Sequence, residues 1–302
     1  MKAIVVRQYG GPEVLKFEEY PDPVAGPGEV LVRVAAASVN PIDYKRRAGK
    51  TKDFYPIKFP GRIGVDLSGT VLVVGPGVDA FRVGDQVFGI ADDTYAELCV
   101  VNSTRLAKVP AGLDLIEAAA LPLVTTTGNQ FISQGTPIDA GQTVLVAGAA
   151  GGVGRSAVFT AKHRGAVAFA GVLKRQLGQA ASIGADRIIA TDDEAAMDSL
   201  PPLDAVADTV GGKTAEKLIS KVKPGGVFAS VVGRPQNAEK FPSVKVVTVY
   251  STSDVKILQF MAEAVRDGRL RIPISRKFPL SDAAEAQSVA EKGANGKILL
   301  VP

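Results

Sequence analysis

Between Thr143 and Gly154 the chain reads Thr-Val-Leu-Val-Ala-Gly-Ala-Ala-Gly-Gly-Val-Gly, an apolar run that turns through glycines into a helix-competent stretch. Residue types in that order suit one task. A strand ending in residues without side chains lets the backbone approach a pyrophosphate, and the following helix offers unpaired N–H groups and the positive end of its dipole. With Gly151 and Gly154 set on the last two glycines of G-x-G-x-x-G, Ala149 stands where the first glycine is usual. The segment predicts dinucleotide contacts from Ala150, Gly151, Gly152 and Val153. The alternative is a strand-to-helix turn that uses glycine for packing alone.

The next strand bears on which dinucleotide. Folds of this kind usually place an acidic residue on the adenosine ribose about 20 residues past the glycine turn. From His163 through Ala185 there is no Asp or Glu, and the strand runs into Gly171-Val172-Leu173-Lys174-Arg175. Cations there suit a 2′-phosphate, so Lys174 and Arg175 predict NADPH rather than NADH. Their alternative is a pair of solvated residues in a helix's first turn, where the dipole mildly disfavours cations.

Other reactive side chains are few. The single cysteine, Cys99, lies in the strand-like Tyr95–Val101 run and reads as a packed small side chain. The single histidine, His163, ends the helix after the glycine turn, where a cation complements the dipole. With one of each, no disulfide and no metal site is expected.

The elements that must position these residues fall into two textures. From Met1 to about Pro110, short alternating runs at Glu29–Val34, Gly69–Val74, Gln86–Ile90 and Tyr95–Val101 are broken by Gly- and Pro-rich turns, which predicts a small antiparallel β domain. From about Leu121, strands alternate with helices: strands at Val144–Ala147, Val167–Ala170, Arg187–Ile189, Asp204–Ala207, Val227–Val232 and Lys245–Tyr250, with helices from Gly152, Lys174 and Thr214. That is an α/β, doubly wound parallel sheet. A helix to about Asp267 and a final strand over Gly296–Val301 are expected to return to the first domain, giving boundaries of 1–120 with 252–302, and 121–251.

Composition narrows the function classes. The 302 residues are 46% hydrophobic and 22% charged, with no apolar tract near the roughly 20 residues a membrane span needs. A net charge of +4 is scattered, without the basic, aromatic-interleaved stripe of a nucleic-acid binder. The start, Met1-Lys2-Ala3-Ile4-Val5-Val6-Arg7, leaves no room for a signal peptide, so a cytoplasmic location is expected.

Taken in order, Gly61-Arg62-Ile63-Gly64-Val65-Asp66-Leu67-Ser68-Gly69, Val83-Gly84-Asp85-Gln86-Val87, the glycine turn, Asp208-Thr209-Val210-Gly211-Gly212, Pro224-Gly225-Gly226 and Gly296-Lys297 resemble the medium-chain dehydrogenase/reductases. Within them, Asn40-Pro41-Ile42-Asp43-Tyr44-Lys45-Arg46-Arg47 is similar to the zinc-independent quinone oxidoreductases and alkenal/one reductases. The resemblance implies a GroES-like β-barrel catalytic domain joined to a Rossmann domain. It also implies that the zinc branch's Cys is replaced by Asn40, and its Gly-His-Glu by Gly64-Val65-Asp66, so no metal is expected.

Without a Lewis acid, direct carbonyl reduction loses its strongest aid, whereas an enone or quinone passes the charge to an oxygen that ordinary donors stabilise. The resemblance points to Asn40, Tyr44 and Lys45 as catalytic candidates, and to Asn40, Thr127, Val210, Gly233, Tyr250 and Ser251 as further cofactor contacts. Each catalytic candidate keeps an ordinary alternative: Asn40 a turn starter, Tyr44 a packed ring, Lys45-Arg46-Arg47 a solvated charge run. Thr127 has helix capping as its alternative. The expected activity is NADPH-dependent, zinc-independent hydride transfer to quinones or α,β-unsaturated carbonyls. A metal-free alcohol/ketone dehydrogenase and a low-turnover NADPH-binding protein are the other readings. The apolar strand Lys245–Tyr250 at the sheet's end predicts a homodimer.

Overall fold

A computed structural model describes residues 1–302. The chain begins with β1 (Lys2–Val6), β2 (Lys16–Glu19), β3 (Glu29–Val39), α1 (Pro41–Arg47), β4 (Gly61–Arg62), β5 (Asp66–Val74), β6 (Gln86–Ile90), β7 (Leu98–Asn102), β8 (Leu106–Lys108) and α2 (Leu115–Ala118). It continues through α3 (Pro122–Gln130), β9 (Thr143–Ala147), α4 (Gly152–His163), β10 (Val167–Val172), α5 (Leu177–Ala180), β11 (Arg187–Ala190), α6 (Glu194–Asp198), β12 (Leu203–Asp208), α7 (Gly212–Ile219), β13 (Val222–Ser230) and β14 (Lys245–Thr248). It closes with α8 (Val255–Arg266), β15 (Ile274–Pro279), α9 (Ala283–Glu291) and β16 (Lys297–Val301). Two units result: Met1–Leu123 with Ser253–Asp267 and Ile272–Pro302, and Val124–Thr252 with Gly268–Arg271. The first break lies within a few residues of the expected one, and the small Gly268–Arg271 excursion was not foreseen.

The first unit holds a three-stranded sheet, β2-β1-β4, and a seven-stranded sheet in the order β15-β16-β3-β5-β6-β8, with β7 also on β3. Alternation on β3 turns Val30, Val32 and Val34 into a core with Leu67, Val71 and Val87. Its far end joins a second core, where Val39 meets Ile4, Ile63, Tyr95, Ile298 and Leu300 under α9. The C-terminal strand does return to this unit, with Ile298 opposite Val39 on antiparallel β3. Every strand pair before Pro110 is antiparallel, as expected of that stretch, and the C-terminal segment adds one parallel pair, β15 on β16, joined through the crossover helix α9.

The second unit is a six-stranded sheet in the order β11-β10-β9-β12-β13-β14, every pair parallel. Its strands read as unbroken apolar runs because both faces are covered: Val144 and Val146 of β9 enter one core, Leu145 and Ala147 the other. Strand order reverses between β9 and β12, the switch point at which such sheets bind ligands. The predicted strand at Val227–Val232 is longer and earlier, Val222–Ser230. The predicted helix from Lys174 begins as a single 3-10 turn, Lys174–Gln176, before α5. No helix is long and apolar enough to cross a membrane.

Candidate functional site

In the second unit the carboxyl ends of the central strands carry most of the predicted cofactor contacts. The turn after β9 folds through Gly148 at φ +75°, where a side chain would collide with the Thr209 hydroxyl. α4 then starts at Gly151 without a side-chain cap, and a Cβ at Gly154 would run into the Gly148 carbonyl and lie 2.6 Å from Ala149 Cα. Gly154 therefore exists to let the helix sit on the turn. At Gly151 a Cβ would meet only the Gly148 oxygen, at 3.4 Å, so nothing in the protein fills that approach. An uncapped helix start above an open backbone fits a pyrophosphate. Arg155, which the sequence reading passed over, is buried and braces the turn from behind, donating to Ala150 O at 3.1 Å and Ser182 Oγ at 3.2 Å.

The neighbouring strand ends carry further predicted contacts. After β12, Asp208 accepts from Val210 N at 2.9 Å, Gly211 N at 3.0 Å and Ser230 Oγ at 2.9 Å, holding Val210 out in solvent. Gly233 sits at φ +117° with open space where a Cβ would lie. Tyr250 is exposed, and the Ser251 hydroxyl is buried without a hydrogen-bond partner. Gln130 grips the next residue, accepting from Thr252 N at 3.0 Å and donating to Thr252 O at 2.8 Å. Thr127 is nearly buried in the interior of α3, so capping is not its role.

Lys174 and Arg175 are exposed at the end of β10, as a phosphate contact requires. The acid-free window of sequence is not acid-free in space. Parallel β11 brings Asp192 and Asp193 alongside: Asp192 Oδ1 accepts from Lys174 N at 2.7 Å, and Asp193 Oδ2 accepts from Lys174 Nζ at 3.2 Å.

In the first unit Asn40 ends β3 and precedes Pro41, whose fixed φ starts α1. Its backbone N–H donates to Asp43 Oδ2 at 2.8 Å, but its side chain does not cap the helix. Asn40 Nδ2 instead donates to Asp66 Oδ2 at 2.8 Å, and Asn40 Oδ1 accepts from Lys297 Nζ at 2.6 Å. Asp66 also accepts from Ser38 Oγ at 2.7 Å and from Leu123 N at 2.9 Å, with the Lys297 ammonium 3.8 Å away. All of these side chains are buried, Asn40 at 1% exposure. Both ends of the Asn40 amide are thus engaged by buried partners, Asp66 and Lys297.

Two carboxylates and one ammonium thus share a dry site. Burial pushes Asp43 up to about 7, with the Asp66 charge adding to it, and leaves its Oδ1 without a hydrogen-bond partner. Burial also raises Asp66 and lowers Lys297, each against the attraction of the other. Tyr95 closes the cluster by donating to Asp43 Oδ2 at 3.0 Å. Asp43, Asp66, Tyr95 and Lys297 were all missed as a unit by sequence reasoning. The one available signal was a lysine opening an otherwise apolar strand, Lys297-Ile298-Leu299-Leu300.

Tyr44 is half-buried against the Ile4–Leu300 core, and burial followed by the Glu291 charge raises its hydroxyl above the ordinary tyrosine value. It stays protonated and able to donate. Lys45 is partly exposed on the same helix. The solvated-run alternative fails for the next two residues, which are buried. Arg46 stacks on Tyr55 at 3.9 Å from the ring centroid and donates to Pro56 O at 3.2 Å. Arg47 donates to Gly10 O at 3.1 Å, Gln287 Oε1 at 2.7 Å and Glu291 Oε1 at 2.6 Å, clamping α1 to α9. Cys99 is buried and its thiol is pushed up to about 12, and the His163 ring stacks on Phe159 with centroids 6.1 Å apart.

Residues 26–111 match the family model described as alcohol dehydrogenase GroES-like domain, and residues 183–300 the one described as zinc-binding dehydrogenase. The NADPH-dependent alkenal/one oxidoreductase of Arabidopsis thaliana is 32% identical over the whole chain and 80% of its own length. Among solved structures, the quinone oxidoreductase of Coxiella burnetii superposes with a TM-score of 0.90 at 32% identity, covering 100% of this chain and 99% of that one. The Escherichia coli quinone oxidoreductase complexed with NADPH superposes with a TM-score of 0.89 at 25% identity, with both chains fully covered.

Proposed function

The chain belongs to the medium-chain dehydrogenase/reductase superfamily, in its quinone oxidoreductase branch, and from that membership we propose that it is an NADPH-dependent reductase of quinones or α,β-unsaturated carbonyls. The observation that carries the reading is the uncapped start of α4 over Gly148–Gly154, placed where the strand order reverses. Ala150, Gly151, Gly152 and Val153 would hold the pyrophosphate, with Lys174 and Arg175 at the 2′-phosphate. Thr127, Val210, Gly233, Tyr250 and Ser251 would complete the binding surface. The names of the Arabidopsis relative and of the Escherichia coli structure include NADPH, which supports that cofactor over NADH.

When bound, the dinucleotide supplies a hydride. With that hydride taken up at its β carbon, an enone substrate would carry the displaced C=C electron pair as negative charge on its carbonyl oxygen, and a proton would complete the reduction. The Tyr44 hydroxyl, kept protonated by burial, and the Lys45 ammonium are the candidates for stabilising that oxygen or delivering the proton. Asn40 acts beside them through position, fixing the start of α1 that carries both. The same cluster supports zinc independence. Where the zinc branch has ligands, Asn40 and Asp66 face the Lys297 ammonium, and a second cation there would meet that charge. We place the enzyme in the cytoplasm as a homodimer joined through β14.

The test is NADPH oxidation against panels of quinones, enals and simple ketones, followed by product analysis with 4-deuterated NADPH. Deuterium is expected on the β carbon of an enone. Deuterium on the carbinol carbon with the C=C bond intact would overturn the assignment.

A further inference from the structure

The end of β10 holds a conflict that the NADPH reading leaves unresolved. Lys174 is one of two cations proposed to meet the 2′-phosphate, yet its ammonium is already paired, 3.2 Å from Asp193 Oδ2. The carboxylate half of this pair is held in place. Asp193 is the N-cap of α6, its Oδ1 accepting from Ala196 N at 3.0 Å, so helix capping fixes the carboxylate where it stands. The register of β10 on β11, with Val172 opposite Ala190, puts that cap beside the strand end that carries Lys174. Asp192 adds a second negative charge, bound through Lys174 N at 2.7 Å.

A 2′-phosphate arriving at Lys174 must therefore draw the ammonium away from Asp193 and approach two carboxylates. A dinucleotide with a plain 2′-hydroxyl meets neither cost, and its ribose finds acids of the kind that usually accept from it. We propose that Asp193 is a specificity-determining residue that narrows the preference for NADPH over NADH by holding the Lys174 ammonium. The inference rests on the dinucleotide reading given above. The Ala196 N–H and the Lys174 ammonium also hold the Asp193 carboxyl below the usual carboxylate range, so it is ionised at neutral pH.

The test is direct binding by calorimetry, without turnover, of NADPH and NADH to the parent protein, Asp193→Asn, Lys174→Ala and the double variant. Asparagine is as good an N-cap as aspartate, so Asp193→Asn removes the charge and keeps α6. An exposed ion pair of this kind is worth at most about a fivefold change in an equilibrium constant. Asp193→Asn is accordingly expected to tighten NADPH about three- to fivefold while NADH stays within about twofold. In the Lys174→Ala background the same replacement should gain less NADPH affinity than in the parent, because only the carboxylate's repulsion of the phosphate is then relieved and no ammonium remains to be released. An unchanged NADPH:NADH ratio, a parallel shift of both affinities, or an equal gain without Lys174 would each overturn the proposal while leaving the dinucleotide reading standing. Failure of the parent protein to bind either dinucleotide would overturn both.

Discussion

Asp43 carries a carboxyl held far from its ordinary behaviour. It is fully buried, its Oδ2 takes two donors, Asn40 N and Tyr95 OH, and Asp66 stands among its neighbours with only Lys297 as counter-charge. Its carboxyl is pushed from 3.8 up to about 7, desolvation being the largest cause. The sign of the consequence is fixed by proton counting. Between the two values the folded protein holds a proton on Asp43 that the unfolded chain has released, so this group's contribution is full below about 4, declines as the pH rises, and is gone above about 7. Asp43→Asn keeps an acceptor for both donors and removes the titration. The stability of the parent protein relative to Asp43→Asn, measured by urea unfolding, should therefore fall between pH 5 and pH 8 by a few kcal/mol at most, at about 1.4 kcal/mol per pKa unit. A pH-independent difference would show that Asp43 does not hold the extra proton.

At the scale of elements, the strand, turn and helix of β9–α4 separate a glycine that serves the fold, Gly154, from one left open for the proposed ligand, Gly151. Gly154→Ala sets a methyl against the Gly148 carbonyl and Ala149 Cα, both backbone atoms that cannot step aside. It should cost about 1–3 kcal/mol of stability as α4 is pushed off the turn, and should weaken NADPH binding as well. Gly151→Ala meets only one oxygen at 3.4 Å within the protein, so its stability should be near that of the parent. Its NADPH affinity should nonetheless fall by about tenfold or more, since the methyl occupies the approach of the pyrophosphate. Thermal unfolding and calorimetry on the two variants separate these outcomes, and equal losses of stability would refute the division of roles. This element was legible in the sequence because all its determinants lie within twelve residues: an apolar run, then glycines at fixed spacing. The Asn40 cluster was not, because its partners come from the two ends of the chain. Asn40 and Lys297 are 257 positions apart and meet only through the pairing of β16 with β3. The same limit hid Asp192 and Asp193 from Lys174, since a window of sequence after β10 cannot include what β11 brings to its side. Arg46 and Arg47 looked like a charge run because nothing local distinguishes a solvated arginine from one whose acceptors are Pro56, Gly10 and Gln287.

At the scale of the whole molecule, the first unit is discontinuous, and its last strand supplies Lys297 to a site whose other members lie before residue 124. The buried charges of that unit are thus balanced only once the C-terminal segment has folded back, which ties the α1 region to the completion of the chain. The second unit raises the question of assembly. Its sheet ends at β14, which pairs with β13 on one side only and leaves a row of backbone donors and acceptors on the other. The strand sets Val246 and Val247, partly buried, between exposed Lys245 and Thr248, with Tyr250 exposed just beyond it. A second copy related by a two-fold axis would present the same edge in the opposite direction, and antiparallel pairing of the two would join the six-stranded sheets into one. Light scattering at micromolar concentration should give the mass of two chains. Hydrogen exchange should find protection along Lys245–Thr248 that disappears on dilution below the dissociation constant. A single-chain mass at micromolar concentration, with those amides exchanging freely, would rule out the β14 interface.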